Sequence, residues 1–208
     1  MPKNEVMNTF AQNPKIVLTG GPGGGKTTAA DLFRRELGGE LVTVPETATI
    51  LFSGGFPRTN DFEVIKATQR AIYHVQRSLE DVKSHLNPNK VLLCDRGTLD
   101  GLAYWPNSEE HFFSDINTSM DAELQRYSAV VFFESSAAGN IQYDSSNPVR
   151  NESLKAAREL DIKLQKIWSR HPRYHFVPHT SSFLKKMNDG IKLLDRLVKE
   201  CRNQCAQM

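Results

Sequence analysis

The chain has 208 residues, 39% of them hydrophobic and 24% charged, with a formal net charge of +2. A chain of this length buries about 70% of the surface its unfolded form exposes, so it holds a core without disulfides, and its apolar content excludes disorder. The near balance of charge gives no general case for nucleic acid or a membrane surface as partner, and no apolar run approaches the roughly 20 residues of a spanning helix.

Residues 1–14 form a polar leader without the apolar stretch of a signal peptide, and residues 15–208 are expected to form one domain. The three cysteines, Cys94, Cys201 and Cys205, show no CxxC spacing, which points to a reducing, cytoplasmic setting rather than a disulfide scaffold or zinc ribbon. Short apolar, partly β-branched runs at 16–18, 41–44, 91–94, 129–133 and 174–177 predict five buried strands. Helical spacing fills the intervals. After the first strand come Ala29, Leu32, Phe33 and Leu37. The longest helix starts at the capping residues Asn60 and Asp61 and stops at Asn87-Pro88, with an apolar stripe of Phe62, Ile65, Ile72, Val75, Leu79, Val82 and Leu86. A further helix runs over 153–168, and a last one carries Leu184, Met187, Ile191, Leu194, Val198 and Cys201. Continuous apolar strands alternating with helices predict an α/β fold, a parallel sheet covered on both faces. Three stretches interrupt the alternation: the Gly/Pro loop 53–60, the polar, aperiodic stretch 106–121, and the Ser/Gly/Asn-rich stretch 137–151. Loops leaving the carboxyl ends of parallel strands are the expected substrate covers.

The chemistry concentrates behind the first strand. Gly20, Gly21, Pro22, Gly23, Gly24, Gly25, Lys26 and Thr27 fit G-x-x-x-x-G-K-[ST], followed by Thr28 and an amphipathic helix. Glycine lets backbone N–H groups wrap a phosphate with no side chain in the way. The helix terminus adds partial positive charge, Lys26 a full one, and the Thr27 hydroxyl is a Mg²⁺ ligand type. This predicts a nucleotide phosphate site. The third strand closes on Asp95, the carboxylate type that serves Mg²⁺ beside such a loop, followed by Arg96, placed to reach phosphate oxygens. The second strand ends at Glu46, which reads either as a general base or as an ordinary exposed carboxylate. Asn147-Pro-Val-Arg150 places a cation for a lid over the transferring phosphoryl group, with Arg158 two turns further on. His171, His175 and His179 recur every fourth residue, but Pro172 and Pro178 forbid the helix that would gather them for a metal. No Asn/Thr-Lys-x-Asp guanine reader appears.

Taken together, residues 15–28, Val44-Pro-Glu-Thr-Ala48, Asp95-Arg-Gly-Thr-Leu-Asp-Gly-Leu-Ala-Tyr104 and Asn147-Pro-Val-Arg-Asn-Glu152 resemble a family of small AAA-type P-loop proteins. That family is allied to ribosylnicotinamide kinase and to the thymidylate and deoxynucleoside kinases. The resemblance spans about residues 15–197. It implies a P-loop NTPase three-layer sandwich with a five-stranded parallel sheet of order 2-3-1-4-5 and a lid around 137–158. It also implies Glu46 as base, Lys26, Asp95, Arg96 and Arg150 as the other catalytic groups, and Thr27 with Asp95 on Mg²⁺. Gln69 loosely matches a base-reading glutamine of those kinases; with Arg58 and Arg96 it makes up the expected acceptor-binding set. Gly97 stands where many nucleoside kinases carry serine. The expected activity is transfer of the ATP γ-phosphate to a small nucleoside- or nucleotide-like acceptor, with ATP and Mg²⁺ as cofactors, no nucleic-acid partner, and an oligomeric state left open, a dimer included. The same motifs resemble an animal GTP- and phosphatidic-acid-binding trafficking protein, so a nucleotide-switched module with little kinase activity is the alternative.

Overall fold

A computed structural model describes residues 13–139 and 154–206. Its centre is one five-stranded parallel sheet of order β2-β3-β1-β4-β5, built from β1 (Lys15–Thr19), β2 (Leu41–Val44), β3 (Val91–Asp95), β4 (Ala129–Phe133) and β5 (Tyr174–Val177). All four ladders are parallel; Val17, for instance, is in register with Cys94 on one side and Val130 on the other. The order 2-3-1-4-5 is the one the resemblance implies.

Alternation along each strand sorts the core into two layers. Ile16 and Leu18 face α1 (Lys26–Glu36) and α7 (Phe183–Ala206), packing with Phe33, Met187, Leu194 and Val198. Val17, Leu92 and Phe132 face the opposite way, onto Leu160, Leu164, Ile167 and Trp168 of α6 (Leu154–Trp168). Each such side chain, taken fully out of water, contributes about 1.5–3 kcal/mol. The result is a three-layer sandwich. Among the described residues no helix is long and apolar enough to cross a membrane.

The long helix α3 (Phe62–Leu86) forms where expected, with Asp61 accepting from the amides of Glu63 and Val64 at its N-terminus. Its buried face corrects the expected stripe. Thr68, Gln69, Tyr73, Gln76 and Glu80 are the buried residues, whereas Phe62, Val82 and Leu86 are exposed and Ile65, Ile72, Val75 and Leu79 only half-buried. Hydrophobic periodicity fails because this helix lines a polar cavity and a buried hydrogen-bonded network instead of an oily core. Leu184 in the last helix is likewise exposed. The stretch 106–121 is more ordered than its composition suggests. It holds α4 (Glu109–Asp115) and the start of α5 (Met120–Leu124), each capped by a serine, Ser108 and Ser119. There Phe112 and Ile116 join Trp105 and Tyr73 in a small separate core. A short helix not foreseen in the sequence, α2 (Thr47–Ser53), follows β2, and a 3₁₀ segment (Thr98–Tyr104) follows β3.

Candidate active site

The carboxyl ends of β1, β2 and β3 converge, and each delivers a polar group to the same place. From β1 the chain enters the glycine loop at Gly20 with φ +130°, where a Cβ would lie 2.1 Å from the Phe133 carbonyl oxygen. Only glycine lets the loop rest on the end of β4 in this way. Within the loop Lys26, 3% exposed, donates from Nζ to the Gly21 carbonyl at 2.7 Å. The amine therefore lies inside the ring of backbone that the loop forms. Thr27 and Thr28 are on the exposed side of the first turn of α1.

From β3 comes Asp95. Its Oδ2 accepts from Thr27 Oγ1 at 3.1 Å, while its Oδ1 is buried with no hydrogen-bond partner. Burial and the neighbouring Glu46 carboxylate push its carboxyl up, against the pull of Lys26, Arg96 and Thr27. A buried carboxylate oxygen without a donor is a costly arrangement unless a cation uses it, so the Asp95–Thr27 pair fits Mg²⁺ by its donor set.

Arg96 follows in the left-handed region, φ 80°, an uncommon conformation for a side-chain-bearing residue that concentrates at functional sites. The turn aims its guanidinium back across the strand ends. Nε donates to Glu46 Oε1 at 3.1 Å, and Nη1 donates to the Gly20 carbonyl at 2.9 Å and to Asp100 Oδ1 at 3.0 Å. Burial opposes its charge, but Tyr104, Asp100 and Glu46 outweigh burial and hold its pKa up. Glu46, at the N-terminus of α2, also accepts from Thr49 Oγ1 through its other oxygen at 2.5 Å. Lys26, Thr27, Glu46, Asp95 and Arg96, widely separated in sequence, thus share one junction.

Beside this junction opens a cavity of about 350 Å³. Its walls include Pro22 of the glycine loop, Glu46, Arg96 and Asp100, together with Phe52, Arg58, Ile65, Gln69 and Ile72. Both expected acceptor-binding residues outside the junction, Arg58 and Gln69, line it. Arg58 lies 4.1 Å above the ring of Phe52. The size falls in the range of small-ligand pockets.

Several residues around the loop were not singled out in the sequence. Asp100 is fully engaged, taking Thr19 Oγ1 and Arg96 on Oδ1 and the Gly97 amide and the Trp168 indole on Oδ2. Asp161 accepts from the amides of Gly21 and Ser135, though burial still pushes its carboxyl up. Lys186 donates to the carbonyls of Gly24 and Glu134, and burial pulls its pKa down to about 8. The available signal was a charge on the apolar face of an amphipathic helix, as at Asp161 beside Leu160 and Lys186 beside Met187. Gln76 binds the Thr47 hydroxyl, the Arg96 carbonyl and Glu80. Gly97 has a packing reason, since a Cβ there would lie 2.6 Å from the Trp168 ring and 3.0 Å from Val17.

Arg150 and the stretch 140–153 of the expected lid lie outside the described residues; Arg158 is exposed on α6. Of the three histidines, His171 is held by backbone. Its Nδ1 accepts from the Arg173 amide and its Nε2, which therefore carries the proton, donates to the Tyr127 carbonyl. His175 sits half-buried on β5, its pKa lowered by burial, and the His179 amide donates to Glu134. Among the described residues no three His, Cys, Asp or Glu side chains come together as a metal cluster.

A family model described as an AAA domain matches residues 15–183. No curated protein matches the chain significantly. Among solved structures, deoxyadenosine kinase from M. mycoides with bound dATP superposes with a TM-score of 0.57 at 15% identity, covering 88% of this chain and 100% of that one. Thymidylate kinase from Candida albicans gives a TM-score of 0.61 at 13% identity, covering 92% and 93%. At these identities the likeness is one of fold. The chain belongs to the AAA-domain family, and its core is built on the fold of the small P-loop kinases.

Proposed function

We propose that this protein is an ATP- and Mg²⁺-dependent phosphotransferase acting on a small nucleoside- or nucleotide-like acceptor. The observation that carries the reading is the cavity that shares Glu46, Arg96 and Asp100 with the phosphate junction. A nucleotide switch, or an enzyme that only hydrolyses ATP, gives no role to a pocket of this size beside the glycine-loop junction. Supporting it, the fold neighbours are kinases of nucleosides and nucleotides.

In this reading the loop amides and Lys26 hold the ATP phosphates, and Arg58 and Gln69 orient the acceptor so that its hydroxyl meets the γ-phosphorus. Glu46 takes the hydroxyl proton. A bond forms between the acceptor oxygen and the γ-phosphorus while the bond from that phosphorus to the β,γ-bridging oxygen breaks, its electron pair leaving with ADP. Arg96 pairs with Glu46 and aligns it. Thr27 and Asp95 would hold Mg²⁺, which supplies charge neutralisation on the phosphates. The stretch around 137–158 with Arg150 is proposed as the lid that excludes water.

The test is an ATP-consumption screen across nucleosides, nucleotides and small alcohols with a no-acceptor control, followed by Glu46→Gln with the best acceptor. The variant should bind ATP like the parent and lose about 10²–10⁴ of acceptor-dependent turnover. Equal turnover would remove Glu46 from the mechanism. Tight nucleotide binding with no acceptor of any class would favour the switch.

A further inference from the structure

Resting on the phosphotransferase reading, we infer that the acceptor is an uncharged alcohol of nucleoside size, and not a phosphorylated compound. Among the described residues the cavity wall holds two cations, Arg58 and Arg96, and two carboxylates, Glu46 and Asp100, and no lysine or histidine. Arg96 is largely committed within the protein, with Nη2 as its remaining donor. Its Nε faces Glu46 and its Nη1 faces Asp100 and the Gly20 carbonyl, and the side chain is only 8% exposed. One guanidinium between two carboxylates leaves that end of the cavity with an excess of negative charge. Among the described residues Arg58 is the other cation of the wall, on the exposed stretch 54–60 and lying over Phe52.

A phosphomonoester is a dianion that proteins hold with several converging donors, commonly paired arginine forks. Seated here it would press against Glu46 and Asp100 near the phosphates of ATP, with a single peripheral arginine in return. What the wall offers instead suits a neutral ligand. Gln69 is 7% exposed and carries no hydrogen bond among the described residues, so its amide presents both a donor and an acceptor. Phe52, Ile65 and Ile72 supply apolar contact. The two fold neighbours stand on opposite sides of this distinction, one named for a nucleoside and one for a nucleotide. The charge pattern assigns this chain to the first kind of chemistry. The enzyme then makes a phosphomonoester from a free alcohol, so the reaction that consumes its product acts on a phosphorylated compound.

The experiment pairs the common ribo- and deoxyribonucleosides with their own 5′-monophosphates. It uses two readouts: γ-phosphate transfer as kcat/KM, and calorimetric Kd in the presence of a non-hydrolysable ATP analogue. The best parent alcohol should exceed its monophosphate by about tenfold or more in both, since a like charge in an interface is strongly selected against. Its Kd should change by less than about twofold between 50 and 500 mM salt, because screening does not touch a neutral ligand. A monophosphate that is transferred to, or bound, as well as or better than its parent overturns the inference and leaves the phosphotransferase reading intact. Nucleosides that bind in preference to their monophosphates but are never phosphorylated support the inference and refute the phosphotransferase reading. Binding of neither class overturns the inference as well.

Discussion

Two buried polar networks meet at Gln76 of α3, and they differ in how their charges balance. Around Glu80, which is fully buried, both carboxylate oxygens have donors. Its oxygens accept from Gln76, the Tyr127 hydroxyl and Arg126, with Lys15 at 3.9 Å, while nearby Glu123 takes Tyr73 and Thr98. Two cations, Lys15 and Arg126, answer two carboxylates. Around Arg96 the count among the described residues does not close. Lys26 and Arg96 face Glu46, Asp95 and Asp100, and one oxygen of Asp95 has no partner. The first network ties α3 and α5 to the 3₁₀ segment, and its charges are matched, Arg126 Nε making no hydrogen bond but lying 3.4 Å from Glu123 Oε2. Among the described residues the second keeps a surplus negative charge and an open cavity beside it, the pattern that the proposed metal-bound nucleotide would use. Gln76 joins the two by binding both Glu80 and the Arg96 carbonyl.

The contrast can be broken at several points. The largest effect is expected on the balanced side: Glu80→Ala strands Arg126 and Lys15 in the interior and should cost about 3–5 kcal/mol of stability, read by urea denaturation. A loss below about 1 kcal/mol would mean the closed network holds nothing together. On the open side Gly97→Ser drives a side chain into Trp168 and Val17 and should cost about 1–3 kcal/mol. A neutral outcome there would show that the departure from serine is not imposed by packing. Lys26→Ala leaves the fold and lowers ATP affinity by about tenfold or more in calorimetry. The smallest effect has the opposite sign. Because the Asp95 carboxyl is pushed up in the folded protein, its ionised form costs stability above that titration, and the cost is relieved as pH falls through it. Asp95→Asn should therefore stabilise the nucleotide-free protein at neutral pH by about 1 kcal/mol, an advantage that fades in acid. The same variant should bind nucleotide without sensitivity to Mg²⁺. Destabilisation at neutral pH would show that the surplus charge is already compensated.

The glycine loop, all five strands and the junction of Lys26, Thr27, Asp95 and Arg96 were legible in the sequence because their chemistry is local. Strand ends announce themselves by an apolar run closing on a polar residue, and the loop by spacing alone. Asp100 and Gln76 were not legible, and Asp161 and Lys186 showed only as charges on an apolar helix face, without their partners. Each acts on a partner brought near only by the fold, such as the Gly21 amide 140 residues from Asp161. α3 shows the same limit from the other side, since its buried face is polar and its apolar residues at Phe62 and Leu86 stay wet. Pattern reading assumes that burial means hydrocarbon, which holds for α6 and fails where a helix lines a cavity.

The chain has two tryptophans, Trp105 and Trp168. Trp168 is fully buried, with its indole N–H on Asp100 at 3.1 Å, and Asp100 in turn grips Arg96. A ligand that moves the guanidinium changes the electric field at this indole without touching it. In a Trp105→Phe background the ultraviolet emission of the remaining fluorophore becomes an optical gauge of pocket occupancy. The time course of filling could then be followed by stopped flow on unlabelled protein.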